Sequence, residues 1–246
     1  METHKLAPAD LGYRPVIVAT YNRRLTNYLV HVSGAQAVAH PLPAAMADFH
    51  VGDGYSIVTL PMGAPATILA LEFMIAAGTK ALITVGTCGG LQPDLPVGSC
   101  ILPEEVVREE GTSHHYAAAD VPARPSSRLL ASIERHCRDQ DLEPTRGLAW
   151  TTDAPYREHK EKIARYREAG VLAVDMEASA VFTVAACRSV AAAAIFVVSD
   201  ELFEPYRLGF SSPELLDGMA RAGRAALAAA AELAGEAAAE APSEEL

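Results

Sequence analysis

Two acids stand out by position. Asp200 follows directly on the apolar run Ala191–Val198, which reads as a buried strand, so its carboxyl is delivered at the strand's carboxyl end with Ser199 beside it. Burial raises a carboxyl pKa and keeps the proton on, which would let Asp200 act as a donor. A loop or helix-capping aspartate has the same local sequence. Glu177 lies beside Met176 and the small residues Ala178, Ser179 and Ala180. A buried acid there needs a partner, whether a ligand or a structural one. The run Gly86-Thr-Cys-Gly-Gly90 lets main chain approach a ligand and aims amide N–H groups at an acceptor. A tight turn without a ligand has the same composition, and the run holds neither a Walker lysine nor the G-x-G-x-x-G pattern. Thr20–Arg24 adds polar groups, Arg24 among them, at the end of another apolar run.

These groups need elements to carry them. Pro15–Thr20, Tyr55–Leu60, Ala81–Val85, Leu148–Thr152 and Ala191–Val198 read as strands, with Val97–Leu102 and Glu104–Arg108 as two more. Helices are predicted over Ala66–Ala77, Ser126–Gln140, Glu158–Ala169 and Met176–Arg188, with Gly78 and Gly170 closing the first and third. A capping box from Ser211 to Glu214, with Pro213 in the first turn, starts a last helix that runs to about Ala234. The Ala/Glu-rich residues 235–246 read as a flexible tail on one domain spanning 1–246. Alternating strands and helices predict an α/β fold around a mixed sheet, and ligands of such sheets collect beyond the carboxyl ends of the strands.

Composition narrows the chemistry. The chain has 246 residues, half of them hydrophobic, and its 31 acids against 20 Lys and Arg give a formal charge of −11. That length and apolar content sustain a packed core. The negative field disfavours nucleic acid and membrane surfaces, and an anionic substrate would need local cations. The longest apolar stretches are about half of the roughly 20 residues that cross a bilayer. Four cysteines without C-x-x-C spacing read as free thiols of a reducing cytoplasm, and no His/Cys/Asp cluster has zinc-ligand spacing. His114 and His115, being adjacent, face opposite ways in an extended segment. Glu104, Glu105, Glu109 and Glu110 read as a solvated rim.

Three segments in order, Val85-Gly-Thr-Cys-Gly-Gly-Leu91, Val174-Asp-Met-Glu-Ala178 and Val197-Val-Ser-Asp200, resemble the nucleoside phosphorylase family of purine nucleoside phosphorylases, uridine phosphorylases and related nucleosidases. Gly63-Ala-Pro-Ala66 and Glu110–Tyr116 add to the likeness. The resemblance implies a three-layer α/β/α fold and a homo-oligomer, a dimer or a trimer of dimers, that uses no metal or cofactor. It implies that Glu177, Met176 and His4 bind ribose, His4 at a neighbouring subunit's 5′-hydroxyl. Arg24, Gly86 and Thr87 would hold phosphate, and Cys88, Gly89 and Tyr156 would line the base. Thr152, Asp153 and Pro155 match the segment covering that base. Asp200 would give its proton to N7 of a departing purine, with Ser199 assisting.

The match also breaks. Relatives that use phosphate end the first strand in Gly-Asp-Pro, where this chain has Thr20-Tyr-Asn, and many carry an arginine where it has Thr84. No arginine lies between Arg24 and Arg108, Lys80 is the one Lys or Arg in that gap, and His40 is a poor stand-in. A lost charge-assisted contact weakens phosphate binding about tenfold or more. The expectation is a nucleoside phosphorylase acting on a purine nucleoside and inorganic phosphate. The alternatives are a nucleosidase using water, although no early glutamate is present to activate it, and a non-catalytic nucleoside-binding protein.

Overall fold

The computed structural model describes residues 14–38 and 48–240. The strands are β1 (Val16–Thr20), β2 (Gln36–Ala37), β3 (Asp48–Val51), β4 (Tyr55–Thr59), β5 (Ala81–Gly90), β6 (Cys100–Arg108), β7 (Thr145–Thr151), β8 (Ala173–Asp175), β9 (Ala191–Glu201) and β10 (Arg207–Leu208). They form one mixed sheet in the order β10-β9-β6-β7-β8-β5-β1-β4-β3-β2. A further pairing of β9 with β5 closes β5, β9, β6, β7 and β8 into a ring. The helices are α1 (Arg23–Ser33), α2 (Ala64–Ala76), α3 (Ser127–Arg138), α4 (Lys160–Glu168), α5 (Ala178–Cys187) and α6 (Pro213–Glu240).

Strand alternation divides the core between two helical layers. Along β9, Ala192, Ala194, Phe196 and Val198 join a cluster with residues of α2 and α5. Ala193, Ile195 and Val197 face a second cluster with residues of α1, α3 and α6. A strand buried on both faces reads as an unbroken apolar run, as β9 does. The architecture is the expected α/β/α stack, bent at one end into the ring.

Several boundaries differ from the sequence reading. The two strands expected between Val97 and Arg108 are one, β6, running through Pro103 with a register shift between Pro103 and Glu105. The glycine run is no turn but the second half of β5. Helix α5 begins at Ala178, so Glu177 precedes the helix. The cap of α6 is Ser212, whose Oγ accepts the Leu215 amide at 3.2 Å, one residue later than the Ser211 box. That helix continues past Ala234 to Glu240, because Ala and Glu are strong helix formers even in low-complexity sequence. Strands β2, β3, β8 and β10, two to four residues each, were not foreseen: such short pieces carry no readable period.

Candidate active site

Strand β5 organises the site. One edge pairs with β9 along its whole length. The other pairs with β1 as far as Thr20–Val85 and with β8 from Gly89–Val174. Between those two partners, Gly86, Thr87 and Cys88 have an edge with no strand beside it among the described residues. The glycines here answer to neighbouring side chains. A Cβ on Gly86 would lie 3.2 Å from the Tyr21 ring, and one on Gly89 would lie 2.8 Å from Leu202 and 3.1 Å from Val174. Consecutive residues point to opposite faces. Cys88 is buried with the α2/α5 layer, whereas Thr87 opens into a cleft on the α1/α6 side.

The first group of side chains gathers where β8 meets α5. Asp175 is 6% exposed and caps α5, its Oδ2 accepting the amides of Ala178 at 2.7 Å and Glu177 at 3.1 Å. The Thr151 hydroxyl donates to Oδ1 and accepts the Ser179 amide. With Asp175 doing the capping, the Glu177 side chain is free to turn away. Its Oε1 accepts the Gly63 amide at 2.6 Å, just ahead of α2. Burial first, and the neighbouring Asp175 second, push Glu177 up to about 8. Burial also lifts Asp175, to about 6, against the hydrogen bonds that hold its charge. Met176 between them is half-buried. Glu110 joins this cluster and does not belong to a solvated rim. It is 1% exposed and accepts the Ser179 hydroxyl at 2.9 Å and the Ser113 amide at 2.9 Å. The other three acids of that run do face outward, paired with Arg146, Arg124 and Lys162.

The second group sits at the far end of β9. The Ser199 hydroxyl lies 2.8 Å from Asp200 Oδ1 and 3.1 Å from the Cys88 carbonyl. A hydroxyl has one proton, so Ser199 donates to one of these two oxygens at a time. Burial raises the Asp200 pKa, and the Ser199 contact opposes that rise in part. Both residues are inside β9, which continues to Glu201. A carboxyl that the sequence reading passed over faces Asp200. Glu158 is half-buried, and burial and then the Asp200 charge lift it to about 7, with Lys162 opposing. Its segment is tied to the chain beyond β9 by the Lys160–Glu204 ion pair at 2.8 Å. Glu158 hid in sequence at the start of a stretch that reads as a charged surface helix.

The two groups meet on β5. Gly89 pairs with Val174 on one side and Asp200 on the other. The charges of Asp175 and Asp200 both help burial keep the Cys88 thiol protonated. From Gly86, against Tyr21, to Gly89 is three strand residues, about 10 Å, the reach of a nucleoside from sugar to base.

A third group lies across β5, in a cleft of about 220 Å³ lined by Asn22, Arg24, Thr87, Phe210 and the start of α6. Asn22 caps α1 by accepting the Arg24 amide at 2.8 Å. Arg24 is exposed. A helix N-terminus, an arginine and a hydroxyl make an anion-binding combination. Of the other expected residues, Tyr156 is 99% exposed. Thr152 is buried, and Asp153 accepts the Gly111 amide at 2.8 Å. His4 and His40 lie outside the described residues. Among the described residues, no three His, Cys, Asp or Glu side chains are grouped to hold a metal ion, and no helix is long and apolar enough to cross a membrane.

Residues 22–237 match the family model described as the phosphorylase superfamily. The chain is 32% identical over 170 residues to the guanosine phosphorylase of Halorubrum lacusprofundi, covering 69% of this chain and 70% of that one. It is 31% identical over 156 residues to a DeoD-type purine nucleoside phosphorylase of Caldanaerobacter subterraneus, covering 63% and 67%. A uridine phosphorylase of Treponema pallidum is 29% identical over 154 residues, covering 58% and 60%. Among solved structures, the fold is similar to purine nucleoside phosphorylase of Toxoplasma gondii, with TM-score 0.85 and 20% identity over 96% of this chain and 99% of that one. It is also similar to uridine phosphorylase of Vibrio fischeri, with TM-score 0.79 and 23% identity over 92% and 95%. This chain belongs to the phosphorylase superfamily and is an enzyme of the nucleoside phosphorylase, or pentosyltransferase, kind.

Proposed function

We propose that the enzyme cleaves purine nucleosides with phosphate, giving the free base and ribose 1-phosphate. The observation that carries this reading is the pair of carboxyls formed by Asp200, near the end of β9, and Glu158, just ahead of α4, which interact through charge. Burial raises the Asp200 pKa, which favours its protonated form, and Glu158, lifted in part by the Asp200 charge, supplies a second group for a ring edge. As the N-glycosidic bond breaks, its electron pair goes to the base and positive charge develops on the sugar. Asp200 passes its proton to N7, a step worth roughly 10²–10⁴-fold. Glu177 accepts the ribose hydroxyls and, once ionised, favours the cationic sugar. A phosphate oxygen, oriented by Arg24, Thr87 and the start of α1, then bonds to C1′. Glu158 in its ionised form accepts the N1 hydrogen of a 6-oxopurine. Similarity to guanosine and purine nucleoside phosphorylases supports the choice, whereas the uridine phosphorylases among the relatives weigh against it.

Base release from a panel of purine and pyrimidine nucleosides, with and without phosphate, tests the proposal. Turnover that ignores phosphate would end it. One observation favours that second, hydrolytic reading: Thr84, buried at 3% exposure, stands where many phosphate-using relatives carry a cation. A homodimer fits the same scheme. Met62, Leu69 and Phe73 on and before α2 are 66%, 52% and 49% exposed, next to the Gly63 amide that holds Glu177. A second copy on that face would cover the sugar end. The free thiols suit a cytoplasmic enzyme.

A further inference from the structure

Glu110 is a buried acid that the proposed reaction leaves unused. It is 1% exposed and both its oxygens are engaged, Oε1 by the Ser179 hydroxyl and Oε2 by the Ser113 amide, each at 2.9 Å. The cation nearest in sequence is committed elsewhere. Arg108 gives its guanidinium to the Ser113 hydroxyl at 2.9 Å and to the carbonyls of Ala117, Ala118 and Val121 at 2.6–2.9 Å. Arg108 thus fastens the loop after β6 on itself, and the Glu110 carboxyl ties the start of that loop to α5. An apolar side chain would fill the same space at less cost than a carboxyl does. What the carboxyl adds is direction, because it fixes the positions of two donors. A continuous path of hydrogen bonds leads on from Glu110 to Glu177. The Ser179 amide donates to the Thr151 hydroxyl at 3.0 Å. Thr151 donates to Asp175 Oδ1, and Asp175 Oδ2 accepts the Glu177 amide at 3.1 Å. The first turn of α5 is therefore held from the carboxyl ends of three neighbouring strands, β6, β7 and β8.

We infer that Glu110 is a positioning residue for Glu177: through Ser179 it sets the start of α5, and so the point from which the Glu177 carboxyl reaches the Gly63 amide and the sugar. The residue after it pins the same loop on its other side, the Gly111 amide donating to Asp153 at 2.8 Å beyond the end of β7. The inference rests on Glu177 gripping ribose, as proposed above.

Ser179→Ala removes the hydroxyl that Glu110 holds, and alanine is the better helix former, so α5 itself is not weakened. It is compared with Glu110→Ala, Glu110→Gln and the Ser179→Ala/Glu110→Ala double variant in steady-state assays with guanosine and 2′-deoxyguanosine. Ser179→Ala is expected to lower guanosine kcat/KM about five- to tenfold, one hydrogen bond's worth, and that of 2′-deoxyguanosine less than about threefold. Glu110→Ala should do at least as much, with the double variant no worse than Glu110→Ala alone. Glu110→Gln, whose amide can accept from Ser113 and donate to the Ser179 hydroxyl, should stay within about twofold of wild type. Additive losses, or equal losses on both nucleosides that track a lowered Tm, would overturn the inference. A ligand-free readout separates its failure from that of the functional proposal. In Ser179→Ala the Gly63 amide, bonded to Glu177 Oε1 at 2.6 Å, should exchange with solvent deuterium about tenfold faster than in wild type. The Leu60 amide, on the Thr20 carbonyl, should keep its rate. An unchanged Gly63 rate counts against Glu110 whatever the enzyme cleaves. A faster rate with an unchanged ratio of the two nucleosides upholds the positioning and counts instead against Glu177 as the ribose ligand.

Discussion

The two acidic ends of the site are held in different ways. At the sugar end, Asp175 and Glu177 are each 6% exposed and take main-chain amides from α5 and from the turn before α2. At the base end, Asp200 is held by the Ser199 hydroxyl, and the carboxyl of Glu158 has no hydrogen-bond partner among the described residues. Main-chain donors come with the fold and cannot be exchanged by substitution. Side-chain neighbours can. If Glu177 reads the sugar and Asp200 the base, as proposed above, sugar recognition is fixed by architecture, while base recognition is open to change on an unchanged scaffold.

The sharpest way to break this contrast is at Asp200. Asp200→Asn is expected to lower purine nucleoside turnover by roughly 10²–10⁴-fold with little change in nucleoside affinity. A loss below about threefold in steady-state assays would remove Asp200 from proton transfer. Glu177→Gln should cost ribosides about 10–100-fold in kcat/KM, the value of a charged hydrogen bond, and 2′-deoxyribosides clearly less. Equal losses would mean that the carboxyl does not read the 2′-hydroxyl.

A finer prediction uses the position of Glu158 near neutrality. Above about 7 its ionised form accepts the N1 hydrogen of guanine, and below that value its protonated form suits the bare N1 of adenine. The guanosine-to-adenosine ratio of kcat/KM should therefore rise with pH through that region in the wild type. It should be flat in Glu158→Gln; a slope that survives the substitution assigns the effect elsewhere.

The smallest expected effect is on stability. Glu177 binds its proton up to about 8 when folded and, with an ordinary value of 4.5, loses it far earlier when unfolded. Its favourable contribution is complete below 4.5 and is lost as pH rises through about 8. Thermal scans should show Tm declining across that window, less steeply in Glu177→Gln. Each kcal/mol recovered corresponds to about 2–4 °C in a chain of this size. Parallel slopes would place the ionisation cost in Asp175 or Glu158.

What could be read from sequence follows the same division. Asp200 and Glu177 were legible because short local segments, Val197–Asp200 and Val174–Ala178, set their positions. The long buried strands β1, β5 and β9 were legible from apolar runs. Glu110 was not, because its partner Ser179 is 69 residues away and a run of four acids looks like a wet edge. Glu158 was missed for a related reason: neighbours of type His, Lys and Glu signal solvent, and it stands ahead of α4 rather than within it, so no helical period marks it as inward-facing. Composition left a tight turn open as an alternative for the glycine run, since glycines demanded by Leu202 and Val174 look like glycines demanded by a bend.

The double allegiance of β5 has an evolutionary corollary. Its residues past Val85 are held in register by β9 throughout and by β8 from Gly89 on, with a register shift already absorbed at Cys88–Gly89. Adding or deleting one residue there would turn Thr87 toward the sheet's opposite side and Cys88 toward the cleft, exchanging the surroundings of anion and heterocycle. Exchanges of side chains around that stretch therefore leave the scaffold intact, whereas a change in its length does not.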